Sequence, residues 1–178
     1  PFPSYRIIIR AMINDATAKL LNEQIGHEFE AMLQYVAHAT WFEAETLPEL
    51  SRYFAKQADE ERAHALKMIQ YLNDTGQTVT IPEIPKPVST FDTVEDAVKL
   101  AYDQEVRVTR QIEAIYNEAS RANDRLTENF LQWFLEEQVE EVAGMDALLA
   151  VVKRAGNDMF RVEDYIAREG HPEDGAEA

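Results

Sequence analysis

The sequence predicts an all-α fold, a bundle of four long helices with a short fifth helix after it. Three observations carry this. Four stretches of some 28 residues each repeat apolar side chains at three- and four-residue spacing, the period of one helix face. The breaks between the first and second stretches and between the third and fourth are only a few residues long, which makes each pair an antiparallel hairpin. The break in the middle is long and rich in proline.

The first helix is expected from Asn14 or Asp15, good N-capping residues, to about Glu43. Its stripe reads Leu21, Ile25, Glu28, Met32, Tyr35, Ala39, Phe42, so Glu28 is a charge in an apolar series. His27 and His38 lie off that stripe and are read as surface or interface residues. The second helix runs from about Leu47, with Pro48 in its first turn, to Asn73, and Asp74-Thr-Gly76 ends it. Its stripe is Leu50, Phe54, Gln57, Glu61, His64, Met68, Tyr71, apolar at both ends and ionisable in the middle.

Residues 77–91 hold three of the seven prolines and are not helical. Extended chain from Asp74 to Asp92 reaches roughly 55–60 Å, and a helix of ~28 residues is about 42 Å long. The connection can therefore travel the whole bundle, so that the third helix starts at the opposite end. That helix opens at Asp92 or Thr93 and carries Val94, Val98, Ala101, Glu105, Val108, Ile112, Ile115 and Ala119. After the turn Ala122-Asn-Asp124 the fourth reads Leu131, Phe134, Gln138, Glu141, Met145, Leu148, Val152 and ends at Gly156. A short fifth helix is expected from Asp158 to about Arg168, with Phe160, Tyr165 and Ile166 as contacts. The expected division is residues 1–13 as an extension, 14–155 as the bundle, 156–169 as the fifth helix and 170–178 as a flexible tail. Met12 is read as a plausible natural start.

Composition narrows the function classes. With 17 basic and 33 acidic residues the formal net charge is −16, which argues against nucleic acid or an anionic membrane as partner and suits attraction of cations. There is no Cys, hence no disulfide or thiolate metal site. No apolar run approaches the ~20 residues of a membrane span, and the apolar stretch near the N-terminus is too short for a signal peptide. Cytoplasm is the expected compartment.

Each of the four helices thus carries polar residues in the middle of its seam: Glu28; Glu61 and His64; Glu105; Gln138 and Glu141. The halves match in spacing, because Glu28 to Glu105, Glu61 to Gln138 and His64 to Glu141 are each 77 residues apart. The plan is one carboxylate, then a pair at i, i+3 on the next helix, known from the di-iron carboxylate bundles. Buried carboxylates cost several kcal/mol unless paired or bound to metal. Carboxylates with one imidazole suit Fe(II), Fe(III), Mn or Zn rather than Cu(I). Glu61, central and shared, is the natural bridge between two metals, which can divide the electrons needed to reduce O₂. The alternative is a buried polar network that only fixes the packing.

Two stretches, Gln57-Ala-Asp-Glu-Glu-Arg-Ala-His64 and Asn129-Phe-Leu-Gln-Trp-Phe-Leu-Glu-Glu-Gln-Val-Glu-Glu141, resemble the bacterial non-haem ferritins, those of actinobacteria most. Leu21-Asn-Glu-Gln-Ile-Gly-His-Glu28 and Tyr102-Asp-Gln-Glu105 fit the same family, and the resemblance covers about residues 14–168. It implies a ferritin-like bundle that oxidises Fe(II) with O₂ or H₂O₂ and stores ferric mineral in a 24-subunit homo-oligomeric shell. Glu28, Glu61 and His64 would form the first of two iron sites, and Glu61, Glu105 and Glu141 the second, with Gln138 beside it. A third iron position would map to Glu60, Glu137, Glu140 and Glu141; a solvated acidic face is the other reading of Glu60, Glu137 and Glu140.

By the same resemblance Tyr35 can act as an electron donor beside the irons, core packing being the alternative. Trp133, five residues before Gln138, is read as packing, with contact to the site as the alternative. Glu128 matches an acidic position at three-fold pores, although Leu131 stands where that motif has a second acid. The short last helix resembles the one around ferritin four-fold axes. Haem-containing bacterioferritins keep Glu-x-x-His in both halves and a haem-ligand Met after the bridging Glu. This chain has Gln138-x-x-Glu141 and Arg62 at those places, so no haem is expected. Two other readings remain: a di-iron oxidase or peroxidase of the rubrerythrin type without storage, and a structural shell subunit.

Overall fold

The computed structural model describes residues 13–169; the expectations for the first residues and for the tail, with His171, lie outside the described residues. Five helices follow in order: α1 (Asp15–Ala44), α2 (Pro48–Asp74), α3 (Val94–Arg121), α4 (Arg125–Ala155) and α5 (Met159–Glu169). There is no strand among the described residues.

The helix ends are set by local chemistry. The Asn14 side chain accepts from the Ala16 amide at 2.7 Å, and Thr93 accepts from the Asp96 amide at 3.0 Å. Asp124 caps α4 through the Thr127 amide at 3.1 Å, and its other oxygen accepts from the Asn14 amide at 3.2 Å. One carboxylate therefore ties the start of α1 to the start of α4. Leu47, which precedes α2, has no side-chain cap of its own. Glu163 of α5 supplies one instead, accepting from the amides of Glu49 at 2.8 Å and Leu50 at 3.0 Å. A carboxylate at a helix N-terminus meets both the orphan amides and the positive end of the dipole.

The crossover runs the length of α1 and in the same direction. Asn22 holds the Thr78 carbonyl at 3.0 Å and also takes the Thr80 amide. Pro82 sits on Gly26. Gln34 clamps both polar groups of Val88, donating to its carbonyl at 2.8 Å and accepting from its amide at 2.9 Å. Phe91 then packs on His38 and Trp41, with ring centroids 4.7 and 5.2 Å apart. The bundle is accordingly up–down–down–up, with α3 antiparallel to α1.

Two apolar clusters fill the interior. One gathers Phe42, Leu50, Phe54, Val98, Met145 and Leu148 with Val162 and Ile166 of α5. The other gathers Leu21, Ile25, Met68, Leu72, Ile112 and Leu131. The ionisable residues of the seam lie between them in the chain's own register.

Two expectations are corrected. His38 is fully buried rather than a surface residue. It sits three residues after Tyr35 and four before Phe42, and α1 is covered on this side by the crossover as well as by its neighbours, so its buried arc is wider than one stripe. Phe160 is 87 % exposed, whereas Val162 and Ile166, one turn apart, face inward. Phe160 lies on the opposite side of α5 from that pair.

A Cβ added at residue 26 would stand 2.3 Å from Pro82 Cγ. Gly26→Ala should therefore force the crossover off α1 and lower stability by about 1–3 kcal/mol, read from the denaturant midpoint. An unchanged midpoint would mean that the crossover does not need this contact.

Candidate metal centre

The mid-bundle residues are buried as the stripes imply. Glu28, Glu61, His64, Glu105, Gln138 and Glu141 are each at most 6 % exposed. Among the described residues, one group of three ligating side chains brings its donor atoms within 4.8 Å of one another: Glu28, Glu61 and His64. Helical geometry supplies half of this, since Glu61 and His64 are i, i+3 on α2, with His64 Nδ1 3.4 Å from Glu61 Oε2. Packing of α1 against α2 supplies Glu28.

The other half is arranged around Glu105. Tyr35 on α1 donates its hydroxyl proton to Glu105 Oε1. Gln138 reaches the Glu105 carboxylate with its amide and is held at its far side by Thr109, 2.8 Å away. Glu141 lies close enough to act electrostatically on Glu61 and on Tyr35. Gln24, one turn before Glu28, donates to Glu28 Oε1 at 3.0 Å.

The electrostatics are those of a cation site. Glu28 Oε2, Glu61 Oε2 and Glu105 Oε2 are buried without a hydrogen-bond partner. Leaving a buried acceptor unpaired costs roughly 1–3 kcal/mol, and more for a charge. Burial, then the charges of Glu105 and Glu28, hold the Glu61 carboxyl well above the usual carboxylate range. Burial likewise pushes Glu105 up to about 7, against the pull of the Tyr35 hydrogen bond. Tyr35 is raised well above its ordinary value by burial and then by Glu105. A divalent cation among these oxygens would replace both the missing donors and the protons they otherwise need.

The residues expected at a third position are placed differently. Glu60 is half-buried, takes a hydrogen bond from Gln57 and lies 3.9 Å from Lys56 Nζ. Glu137 is half-buried and near Lys67, and Glu140 is exposed. Trp133 both packs and reaches the site, edge-on to Phe134 at 4.9 Å and to His64 at 5.5 Å, with Lys67 Nζ 3.1 Å over its ring. Glu128 is paired with Arg125 at 2.6 Å. His27 is partly exposed beside Glu30.

Gln24, Thr109 and Tyr53 were not legible as site neighbours. Tyr53 is raised by burial and then by Glu141 and Glu60, which places it beside the carboxylates. Gln24 sits at i−4 from Glu28 and Thr109 at i+4 from Glu105, so the spacing signal existed, but in a sequence an uncharged polar side chain beside an apolar stripe looks like a solvent position.

A family model described as the ferritin-like domain matches residues 18–155. Ferritin BfrB of Mycolicibacterium smegmatis is 47% identical over 150 residues, covering 84% of this chain and 83% of that protein. The bacterial non-heme ferritin of Staphylococcus saprophyticus is 33% identical over 147 residues, covering 83% and 88%. Among solved structures, an open pore ferritin from the archaeon Archaeoglobus fulgidus superposes with a TM-score of 0.84 at 30% identity, covering 86% of this chain and 94% of that one.

The raised Glu105 carboxyl has a consequence for the metal-free protein. The folded chain binds this proton more tightly than the unfolded chain, whose value is near 4.5, so the stability it contributes is present below that pH and is lost as pH rises to about 7. Glu105→Gln should flatten this slope and leave the metal-free variant more stable above pH 7, by up to about 3 kcal/mol. Thermal unfolding in chelator between pH 4.5 and 8 reads it, and parallel curves for variant and parent would refute it.

Proposed function

This chain belongs to the ferritin family, and from that premise we propose that it is an iron-storage subunit that oxidises Fe(II) inside its bundle. The observation that carries the reading is the buried Glu28, Glu61 and His64 trio. One carboxylate oxygen each of Glu28, Glu61 and Glu105 in this layer has no hydrogen-bond partner. Iron is the substrate here. In this reading Fe(II) binds first between Glu28, Glu61 and His64, and a second Fe(II) between Glu61, Glu105 and Glu141, with Gln138 adjacent. Glu60, Glu137 and Glu140 with Glu141 would serve a third, weaker position on the way out.

Two Fe(II) ions supply one electron each. With O₂ and two protons the products are two Fe(III) and H₂O₂; with H₂O₂ and two protons they are two Fe(III) and two waters. Carboxylate ligands favour the ferric state because they bring negative charge to a hard ion. Reduction of O₂ to two waters takes four electrons; beyond the two from the iron pair, Tyr35, hydrogen-bonded to Glu105, would supply one, losing its hydroxyl proton with it, and an Fe(II) at the third position the other. Fe(III) would then pass to the cavity of a 24-subunit cytoplasmic shell and mineralise. The names of the relatives support storage, and the acidic composition, with a net charge of −16, supports concentration of cations.

Glu61→Ala and His64→Ala should each abolish the fast phase of Fe(II) oxidation in stopped-flow absorbance while the particle stays assembled on a sizing column. Unchanged fast kinetics in both variants would sink the ferroxidase assignment, and a wild-type particle with the mass of one or two bundles would sink storage.

The two iron positions should also differ. The first has an imidazole and a preassembled trio; the second shares its Glu105 with Tyr35. Under limiting Fe(II) without oxidant, anomalous scattering from soaked crystals should show the position beside His64 filled first. Equal occupancy at both would overturn this order.

A further inference from the structure

Gln138 stands 77 residues after Glu61, where the first half of the chain has its central carboxylate. The two side chains differ in one respect that matters for a cation. A carboxylate offers an oxygen at either end, whereas an amide offers an oxygen at one end and two N–H donors at the other. An amide in this place needs something that decides which end points inward.

Thr109 occupies that role in space. It lies one turn after Glu105 on α3, with its hydroxyl oxygen 2.8 Å from the Glu105 backbone carbonyl oxygen and 2.8 Å from Gln138 Oε1, the outward end of the amide. A hydroxyl has one proton and two lone pairs. It can donate to the Glu105 carbonyl and accept from the Gln138 NH₂, which turns the amide oxygen inward. It can instead donate to the amide oxygen, which turns the NH₂ inward, toward the Glu105 carboxylate. Both arrangements satisfy the outer end of a side chain that is only 3 % exposed. Amide oxygen and nitrogen are nearly the same size, so the exchange needs no repacking. The position 77 residues before Thr109 is Met32, which has no hydroxyl; the carboxylate of Glu61 requires no such partner.

We propose that Thr109 is a positioning residue that holds Gln138 in either amide orientation, so that Gln138 gives N–H to the carboxylates when the second position is empty and oxygen to a divalent cation when it is filled. The proposal rests on the di-metal reading above and adds a residue outside its ligand set. Without the hydroxyl, the outer end of the amide loses its partner in both states. The oxygen-inward state suffers more, because it loses the acceptor for an N–H, and buried N–H groups are left orphaned less often than carbonyl oxygens are left under-satisfied.

The test is a Co(II) titration of the metal-free, assembled protein without oxidant, followed by calorimetry and visible absorption. Wild type should bind two tight equivalents per subunit. Thr109→Val should leave the first unchanged and weaken the second about 10- to 100-fold, the usual effect of removing a residue that orients a ligand. Thr109→Ser, which keeps the hydroxyl, should bind both as wild type does. Thr109→Ala must reproduce the loss if Thr109→Val fails to fold. Wild-type affinity at both positions in Thr109→Val or Thr109→Ala would overturn the proposal, as would an equal loss in Thr109→Ser. Wild type that binds no Co(II), or Glu61→Ala that still binds two, would overturn the di-metal reading itself and this proposal with it.

Discussion

Burial of several carboxylates in one layer of the bundle is the constraint on which the rest of this structure depends. Glu28, Glu61, Glu105 and Glu141 come from four different helices and are withdrawn from water together. Such a layer is unfavourable by itself, since each charge loses its hydration and faces the others. The apolar clusters on either side hold the helices in place around it. The folded chain therefore carries a local destabilisation that protons relieve at low pH and that a cation can relieve at neutral pH. Glu105 is where this balance lies nearest neutrality.

Holding four separate helices in a common register is then a requirement, and much of the remaining structure serves it. The crossover is laid along α1 and fastened at Asn22, Gly26, Gln34 and His38. It fixes where α3 begins, and so where Glu105 falls relative to Glu28. At one end of the bundle Asp124 joins the starts of α1 and α4. At the other, Glu163 caps α2 from α5 and so anchors the helix that carries Glu61 and His64. The hydrogen bonds among these contacts, at Asn22, Gln34, Asp124 and Glu163, are directional, which sets register in a way that interchangeable apolar side chains do not.

The halves of the chain repeat a plan but not a chemistry. The first half offers an imidazole and a central carboxylate; the second offers a carboxylate and an amide at the matched places. The difference propagates outward to neighbours. Gln24 steadies Glu28 on one side, while Tyr35 and Thr109 engage Glu105 and Gln138 on the other. The substitution of an amide lowers the negative charge of the layer by one and makes orientation matter there, where in the first half it does not.

The helices, their seams and the chemistry of the seam were legible in the sequence because each depends on spacing along one helix. A helix puts i, i+3 and i+4 on one face, so Glu61 and His64 had to be neighbours, and a charge within an apolar stripe had to be buried. The matched 77-residue offsets extended that inference to four helices, and the length of the proline-rich stretch allowed the crossover its full travel. What the sequence could not determine depends on atoms brought together from distant parts of the chain. His38 is buried because Phe91 of the crossover covers it. Phe160 stays exposed because α5 turns Val162 and Ile166 to the core. The closure of Glu28 on Glu61 and His64, the hydrogen bond from Tyr35 to Glu105 and the grip of Thr109 on Gln138 are likewise tertiary. Local periodicity decided which residues enter the interior, and interhelical packing decided which of them touch.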